Sequence, residues 1–371
     1  MLQRIHIENF KSLKNVTLDL QRVNVLIGPN NSGKTNVLKA LELFVKETSF
    51  SNSQIEYFNT ISFNRKGEKL LSKLSWKNVK ASNQLSYYHR IFAVSKVING
   101  VFTDLKPTPE FVKTDSIENE ESITIDTNSL EVQNNFEFFI SLKQSLLGIY
   151  KPDSSKMVGY HDIGGTISSL NFDASNIVSF LELLRDEYRD EFYKLERDLK
   201  ACLPEFSYIS FRKSNEKGSV KKELGLYNSL NQDNFWSDEL SEGVLYFLAL
   251  LCIIHQPNPP KLLLLEEPER GIHPRRIKEI IGFIKQLAYE KEIQVIMTTH
   301  SPLVLDEFAE TPESVFIFDK DEEGATSIKN LQKDVIEPEN AERAKKGMEA
   351  VNYTDALGEN WTIGFLGGVP K

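Results

Sequence analysis

Cysteine is nearly absent: the 371-residue chain carries two, Cys202 and Cys252, far apart and outside any CxxC pair. That excludes a disulfide framework and a zinc site built on paired cysteines. No stretch approaches the roughly 18 uncharged apolar residues that a membrane-spanning helix requires. Met1 leads directly into an alternating pattern rather than a basic-then-apolar leader, so a cytoplasmic protein with no membrane partner is expected. Positive charge is in deficit, with 44 Lys and Arg against 53 Asp and Glu and a formal net charge of -9. A uniformly basic coat for nucleic acid is thereby excluded, and any DNA contact has to come from a local patch or a partner. Internal repeats, low-complexity tracts and long heptad arrays are also missing, which removes solenoids and long coiled-coil arms. What remains is a chain 40% hydrophobic, enough for roughly two domains with a sizeable buried core.

Ile5, Ile7 and Phe10, then Val16, Leu18 and Leu20, alternate with polar residues as half-buried strands do, and Val23 to Ile27 is a short apolar run ending in Gly28. From Thr35 to Val45 the apolar residues recur at helical spacing, so a glycine-bearing loop lies between a buried strand and a helix start. Residues 47 to 171 shift towards Asn, Ser, Lys and aromatics, with a turn signal at Gly164-Gly165; they read as an insertion of mixed strand and helix. Within it, residues 101 to 140 hold nine acids and two bases, a sign that repels a phosphate backbone. Helical patterning resumes at Asp173 to Leu199, and a charged stretch from Arg212 to Lys222 leads back to a compact core. There an apolar helix (244–254), a strand (261–265), a helix (277–287) and a strand (293–297) follow in turn, the alternation of an α/β fold with helices packed on a parallel sheet.

Gly28-Pro29-Asn30-Asn31-Ser32-Gly33-Lys34-Thr35 matches the phosphate-binding pattern G-x-x-x-x-G-K-[ST] in full, with Asn36 following. Polyphosphate needs many donors at close range; the glycines let backbone N–H groups turn inward, and the helix start adds partial positive charge. Lys34 is placed to reach the β- and γ-phosphates, and the Thr35 hydroxyl to ligate Mg²⁺. Leu262 to Leu265 then carries Glu266 and Glu267 at its end, where α/β sheets gather ligands. Glu266 suits Mg²⁺ and Glu267 suits polarising an attacking water. Leu240-Ser241-Glu242-Gly243 precedes the apolar helix, with Ser241 a natural N-cap beside the helix dipole. His300 closes another apolar strand in Thr298-Thr299-His300-Ser301-Pro302, and in that order with the other elements it suits sensing of a γ-phosphate.

Taken in order, these four elements resemble the ABC-class ATPase head of SMC and RecF proteins and of the coiled-coil repair ATPases, with LSEG where that group has its signature motif. The nearer likeness is to the ATPase half of OLD (overcoming lysogenization defect) nucleases and their stand-alone relatives. It is carried by IENFKSL, GPNNSGKTNVLKAL, EEPERGIHP, TTHSPLVLDEF, Asp173 to Ile177 and the tail from Gly358 to Pro370. The resemblance covers residues 1–46 and 171–371. It implies an ABC-type P-loop head with a mixed sheet, a helical subdomain and an α+β insertion, residues 1–46 and 231–371 forming the ATP-binding core and 47–230 the insertion and lid. It also implies ATP and Mg²⁺ as ligands, Glu267 as base and His300 near the γ-phosphate. Ser241 and Gly243 would complete the nucleotide site of a second subunit, so that ATP joins a homodimer.

Two points depart from the group. Aspartate is usual where Glu266 stands, and the extra methylene brings the carboxylate about 1.5 Å closer to the ion. Mg²⁺ tolerates little distortion, so slow turnover or a long-lived ATP dimer is expected. The glutamine that couples γ-phosphate to the helical subdomain is not evident; Gln133 and Gln144 both remain open. Only 63 residues follow Phe308, too few for the Toprim domain of full-length OLD nucleases. Phe316 to Asp321 could suit a nuclease strand, but Asp321-Glu322-Glu323-Gly324 reads as a hairpin turn. The expected function is a dimeric ATPase read by a separate Toprim or HNH nuclease in anti-phage defence. A RecF-like DNA clamp, using the basic clusters Lys213, Lys217, Lys221, Lys222 and Arg270, Arg275, Arg276, is the second reading, and a transporter ATPase the third.

Overall fold

The computed structural model describes residues 1–46, 69–79, 85–95, 97–98, 101–102, 110–114, 123–124, 149–163, 169–214, 220–257, 260–351 and 353–369. The three opening apolar runs form β1 (Leu2–Phe10), β2 (Leu13–Asp19) and β3 (Val23–Ile27). β1 and β2 pair antiparallel, Ile5 opposite Leu18 and Ile7 opposite Val16, which puts their apolar residues on one face. β3 is buried at every position, as a strand covered on both faces must be. After the glycine loop, α1 (Lys34–Lys46) turns Val37, Leu38, Ala40 and Leu41 inward at the spacing of one helical face.

Strands of the insertion continue outward from β1. β4 (Lys69–Val79), β5 (Leu85–Ser95), β8 (Glu110–Thr114) and β9 (Ile123–Thr124) extend the antiparallel ladder in the order β2-β1-β4-β5-β8-β9. β6 (Val97–Ile98) and β7 (Val101–Phe102) make a separate small ladder. Between residues 47 and 148 the described residues are strands alone. Gln133, Gln144 and Gly164-Gly165 lie outside the described residues.

Two compact units divide the chain: residues 1–149, 261–264 and 294–371 form one, residues 150–260 and 265–293 the other. These boundaries differ from the expected break at residue 231, because the helices on either side of the acidic strand belong with the second unit. That unit contains β10 (His161–Asp162), β11 (Phe206–Lys213), β12 (Lys221–Asn228) and β13 (Asp233–Trp236), with β12 paired to all three others. The charged stretch 212–222 thus contributes strand ends rather than a plain connection. Its helices are α2 (Ile177–Glu187), α3 (Arg189–Cys202), α4 (Glu242–Ile254) and α5 (Pro274–Glu290). α4 is buried throughout from Leu245 to Ile254, the mark of a helix apolar all round. Past its end, the buried His255 ring lies between Asp198 (Nε2, 2.9 Å) and Glu191 (Nδ1, 3.4 Å).

The first unit is built on a five-stranded sheet of order β14-β15-β3-β16-β17, with β14 at Leu262–Glu266, β15 at Gln294–Thr299, β16 at Val315–Lys320 and β17 at Thr326–Asn330. β15 and β16 both run parallel to β3. β17 returns antiparallel from the expected turn, where the Asp321 carboxylate accepts from the Glu323 and Ala325 amides at 3.0 and 2.8 Å and Gly324 has φ +79°. Those contacts give Asp321 to the hairpin rather than to a metal. Leu26, Leu262, Leu264, Ile296, Phe316 and Phe318 from this sheet join the inward faces of β1, β2 and α1 in one core.

Candidate nucleotide-binding site

The first unit carries the phosphate loop. β3 ends at Ile27, and Gly28 (φ +155°), Asn31 (φ +64°) and Gly33 (φ +109°) turn the chain into α1. Both glycines are dictated by packing as well as by dihedral angle. A Cβ on Gly28 would lie 2.3 Å from the Phe318 carbonyl oxygen, and one on Gly33 would lie 2.1 Å from Thr326 Oγ1. Lys34 is 5% exposed, and its ammonium donates to the carbonyls of Gly28 (2.7 Å) and Pro29 (2.8 Å) and to Ser32 Oγ (3.4 Å). A buried cation at the start of a 13-residue helix is suited to anionic oxygen. Asn30 and Asn31 are exposed, Pro29, Thr35 and Asn36 half-buried, and Ser32 buried.

A polar strut holds this loop from behind. Thr326 Oγ1 donates to the Ser32 carbonyl (2.9 Å) and shares a hydrogen bond with Ser12 Oγ (2.7 Å), while Asn36 Nδ2 donates to the same Ser12 oxygen (2.9 Å). Asn36 therefore braces the loop through its amide. Ser12 and Thr326 stand 24 and 290 residues from Asn36, and nothing in the local pattern marks them. His300 follows β15, whose Thr299 is in register with Ile27. It therefore leaves the sheet at the level of Gly28, on the adjacent parallel strand.

The second unit carries the acids and the helix tip. Glu266, at the end of β14, is in an ion pair with Lys151 (Nζ to Oε2, 2.7 Å), its side chain 16% exposed against 49% for the lysine. Tyr150 bridges Leu265 in parallel register, which sets Lys151 beside the strand end. The Tyr246 hydroxyl donates to the Glu266 carbonyl at 3.4 Å; burial, with the carboxylates of Glu269, Glu266 and Glu267 adding to it, pushes its pKa upward. Glu267 has φ +51°, a left-handed conformation unusual for glutamate and of the kind stored at working sites. Its carbonyl accepts from the Arg270 amide (3.0 Å), closing a turn.

Ser241 is exposed and is the N-cap of α4, its hydroxyl accepting from the Val244 amide at 3.3 Å. Gly243 is buried, and a Cβ there would lie 2.7 Å from the Gly271 carbonyl oxygen. The LSEG tip is thus packed on the chain that follows the two acids. A cavity of about 280 Å³ is lined by Lys151, Asp153, Ser154, Asp173, Glu242 and Glu266 among others. Ser154 Oγ donates to Glu242 (2.9 Å) and Lys156 pairs with Asp173 (2.8 Å). Burial alone would raise the Asp173 pKa; hydrogen bonds from Lys156 and Ser175 outweigh it and bring the value down to about 2. Of the basic residues in this unit, Lys222 is paired with Glu182 and Arg276 with Glu205. Thr35 offers a hydroxyl in the first unit and Glu266 a carboxylate in the second, each a hard oxygen group of the kind Mg²⁺ takes. No group of three or more His, Cys, Asp or Glu among the described residues forms a metal cluster of its own. Sequence patterns marked neither Lys151 nor Tyr246, since neither belongs to a spaced motif.

A family model described as "AAA domain, putative AbiEii toxin, Type IV TA system" matches residues 23–306, from the phosphate strand through His300. The chain belongs to this AAA-domain family. This AAA-domain protein is 25% identical over 376 residues to an ATP/GTP phosphatase of Helicobacter pylori, a match spanning 90% of this chain and 93% of that protein. It is 24% identical over 222 residues to the DNA replication and repair protein RecF of Rickettsia typhi, spanning 54% of this chain and 61% of RecF. The likeness to an OLD nuclease of Thermus scotoductus is 40% over 43 residues, 12% of this chain and 8% of the nuclease. Among solved structures, the SMC head domain from Thermotoga maritima superposes with a TM-score of 0.51 at 12% identity, covering 89% of this chain and 98% of that domain. The fold is therefore that of an α/β P-loop ATPase head with a mixed sheet. No helix among the described residues is long and apolar enough to cross a membrane.

Proposed function

We propose that this AAA-domain protein is an ATPase of the stand-alone OLD-like kind, which pairs with a second copy on ATP and controls a separate effector, a Toprim or HNH nuclease, in defence against phage. The observation that carries the catalytic part is the buried Lys34 ammonium at the phosphate loop together with an acid pair whose second member, Glu267, has a left-handed backbone. Lys34 exchanges its loop carbonyls for β- and γ-phosphate oxygens. Thr35 and Glu266 are the residues that would hold Mg²⁺, and the ion would supply neutralisation of phosphate charge. Glu267 accepts a proton from the attacking water, and His300 donates to the γ-phosphate. Asn30, Asn31 and the backbone amides of residues 31–35 supply further donors. The Helicobacter relative, named as acting on ATP and GTP, supports hydrolysis, and the family description, naming a toxin, supports a defence role. Glutamate in place of aspartate at 266 favours slow turnover.

Glu267→Gln removes the proton acceptor without removing bulk. Phosphate release should fall by about 10²- to 10³-fold, while binding of a fluorescent ATP analogue in Mg²⁺ stays within a few fold of wild type. Equal turnover in the two proteins would refute Glu267 as base. The RecF likeness keeps a DNA clamp as the second reading. Steep salt dependence of duplex DNA binding by the isolated protein would favour it, although the pairing of Lys222 and Arg276 with acids leaves less free basic surface than the sequence clusters imply.

A further inference from the structure

Lys151 is in no motif, yet it holds the carboxylate assigned to the metal. The Tyr150 bridge to Leu265 fixes the backbone, and the ammonium approaches Glu266 Oε2 at 2.7 Å. The two ends of the pair differ in their freedom. Glu266, 16% exposed, is fixed at a strand end, whereas Lys151, 49% exposed, can swing its ammonium into water. A metal ion bound to the same carboxylate would stand close to this ammonium, and at separations near 4 Å like charges repel by several kcal/mol even at an effective dielectric of about 20. We infer that Lys151 is a displaceable counter-ion for Glu266 that would compete with Mg²⁺ for this carboxylate, and so sets how much Mg²⁺ the protein needs before nucleotide binds tightly.

The inference rests on the nucleotide reading and adds to it a positioning residue that tunes metal demand. The lysine neutralises a partly buried carboxylate in the metal-free protein, where an uncompensated charge would be costly. Release of that ion pair is a cost charged against Mg²⁺ at every loading. Lys151 lies on the cavity wall with Asp153 and Asp173, so the released ammonium has carboxylates within the same cavity to move towards.

The test is a titration of Mg²⁺ into protein held at a fixed concentration of a fluorescent, non-hydrolysable ATP analogue, for wild type, Lys151→Met, Lys151→Gln, Lys151→Arg and Glu266→Gln. Lys151→Met and Lys151→Gln should lower the Mg²⁺ midpoint by about tenfold, and Lys151→Arg should leave it near wild type. Glu266→Gln should raise it. Mg²⁺ alone should increase the melting temperature of Lys151→Met more than that of wild type. A midpoint unchanged or raised in both Lys151→Met and Lys151→Gln overturns the counter-ion role while leaving nucleotide binding intact. Wild-type protein that binds no analogue at any Mg²⁺ concentration overturns the nucleotide reading itself and this inference with it.

Discussion

At the scale of single residues the phosphate loop depends on groups far from it in sequence. Thr326 is 6% exposed and its hydroxyl serves both the Ser32 carbonyl and Ser12 Oγ. Thr326→Val keeps the shape and removes the donor, leaving a loop carbonyl short of a partner, a change worth about 1–2 kcal/mol. Urea unfolding should show that loss, and affinity for the ATP analogue should weaken because the loop is no longer pinned. Asp173 gives a second check through pH. Its carboxyl is held down at about 2, below the ordinary value near 3.9, so its stabilising contribution is complete above about pH 4 and is lost as pH falls through about 2. Lys156→Ala removes a hydrogen-bonding partner, and the Asp173 carboxyl resonance followed by NMR should then titrate at higher pH. An unmoved midpoint would show that the Ser175 contacts dominate. The phosphate loop and acid pair were legible because each is one contiguous string whose residue types follow from the chemistry. Ser12, Thr326, Tyr246 and Lys151 were not, since their roles arise only when strands distant in the chain are brought into register.

Elements show the same division. The strands and helices of the head follow from periodicity: β3 and β14 as unbroken apolar runs, α1 and α5 as one-sided helices, α4 as a helix buried all round. Local pattern did not reveal that β4 pairs onto β1, with β5, β8 and β9 following it in the ladder, because an antiparallel edge recruits partners by register rather than by any signal in its own sequence. It also left hidden the reason for glycine at 243. LSEG reads as a capping serine followed by a signature glycine; in the fold, Gly243 meets the backbone of Gly271, tying the first turn of α4 to the segment after Glu267. Gly243→Ala sets two effects against each other. Alanine gains up to about 1 kcal/mol of helix propensity, but its Cβ at 2.7 Å from a carbonyl oxygen forces backbone to move, costing about 1–3 kcal/mol. The clash should win, because backbone cannot swing aside as a side chain can. A lower urea midpoint with reduced turnover is expected, and a more stable variant would show the contact to be soft.

At the scale of the whole molecule the decisive question is whether nucleotide joins two copies. Ser241 is exposed at the tip of a helix whose next thirteen residues are largely buried, so the tip presents polar atoms outward from a rigid support. The serine's own hydroxyl already accepts from Val244, which leaves its O–H proton for another acceptor, such as a phosphate oxygen brought by a second subunit. The net charge of -9 per chain opposes association in general, and so favours a dimer that forms only when a specific bridging ligand is present. Light scattering after size exclusion should therefore find Glu267→Gln monomeric without nucleotide and dimeric with ATP and Mg²⁺. Adding Ser241→Arg to that variant places a long cation where the helix tip would meet the triphosphate. It should return the protein to monomer while affinity for the ATP analogue, which depends on each subunit's own Lys34, changes little. Loss of the cap costs about 1 kcal/mol, and a urea curve would separate that from the assembly defect. If Ser241→Arg still dimerises with ATP, the helix tip lies outside the interface, and the pairing of two heads across nucleotide is wrong for this protein.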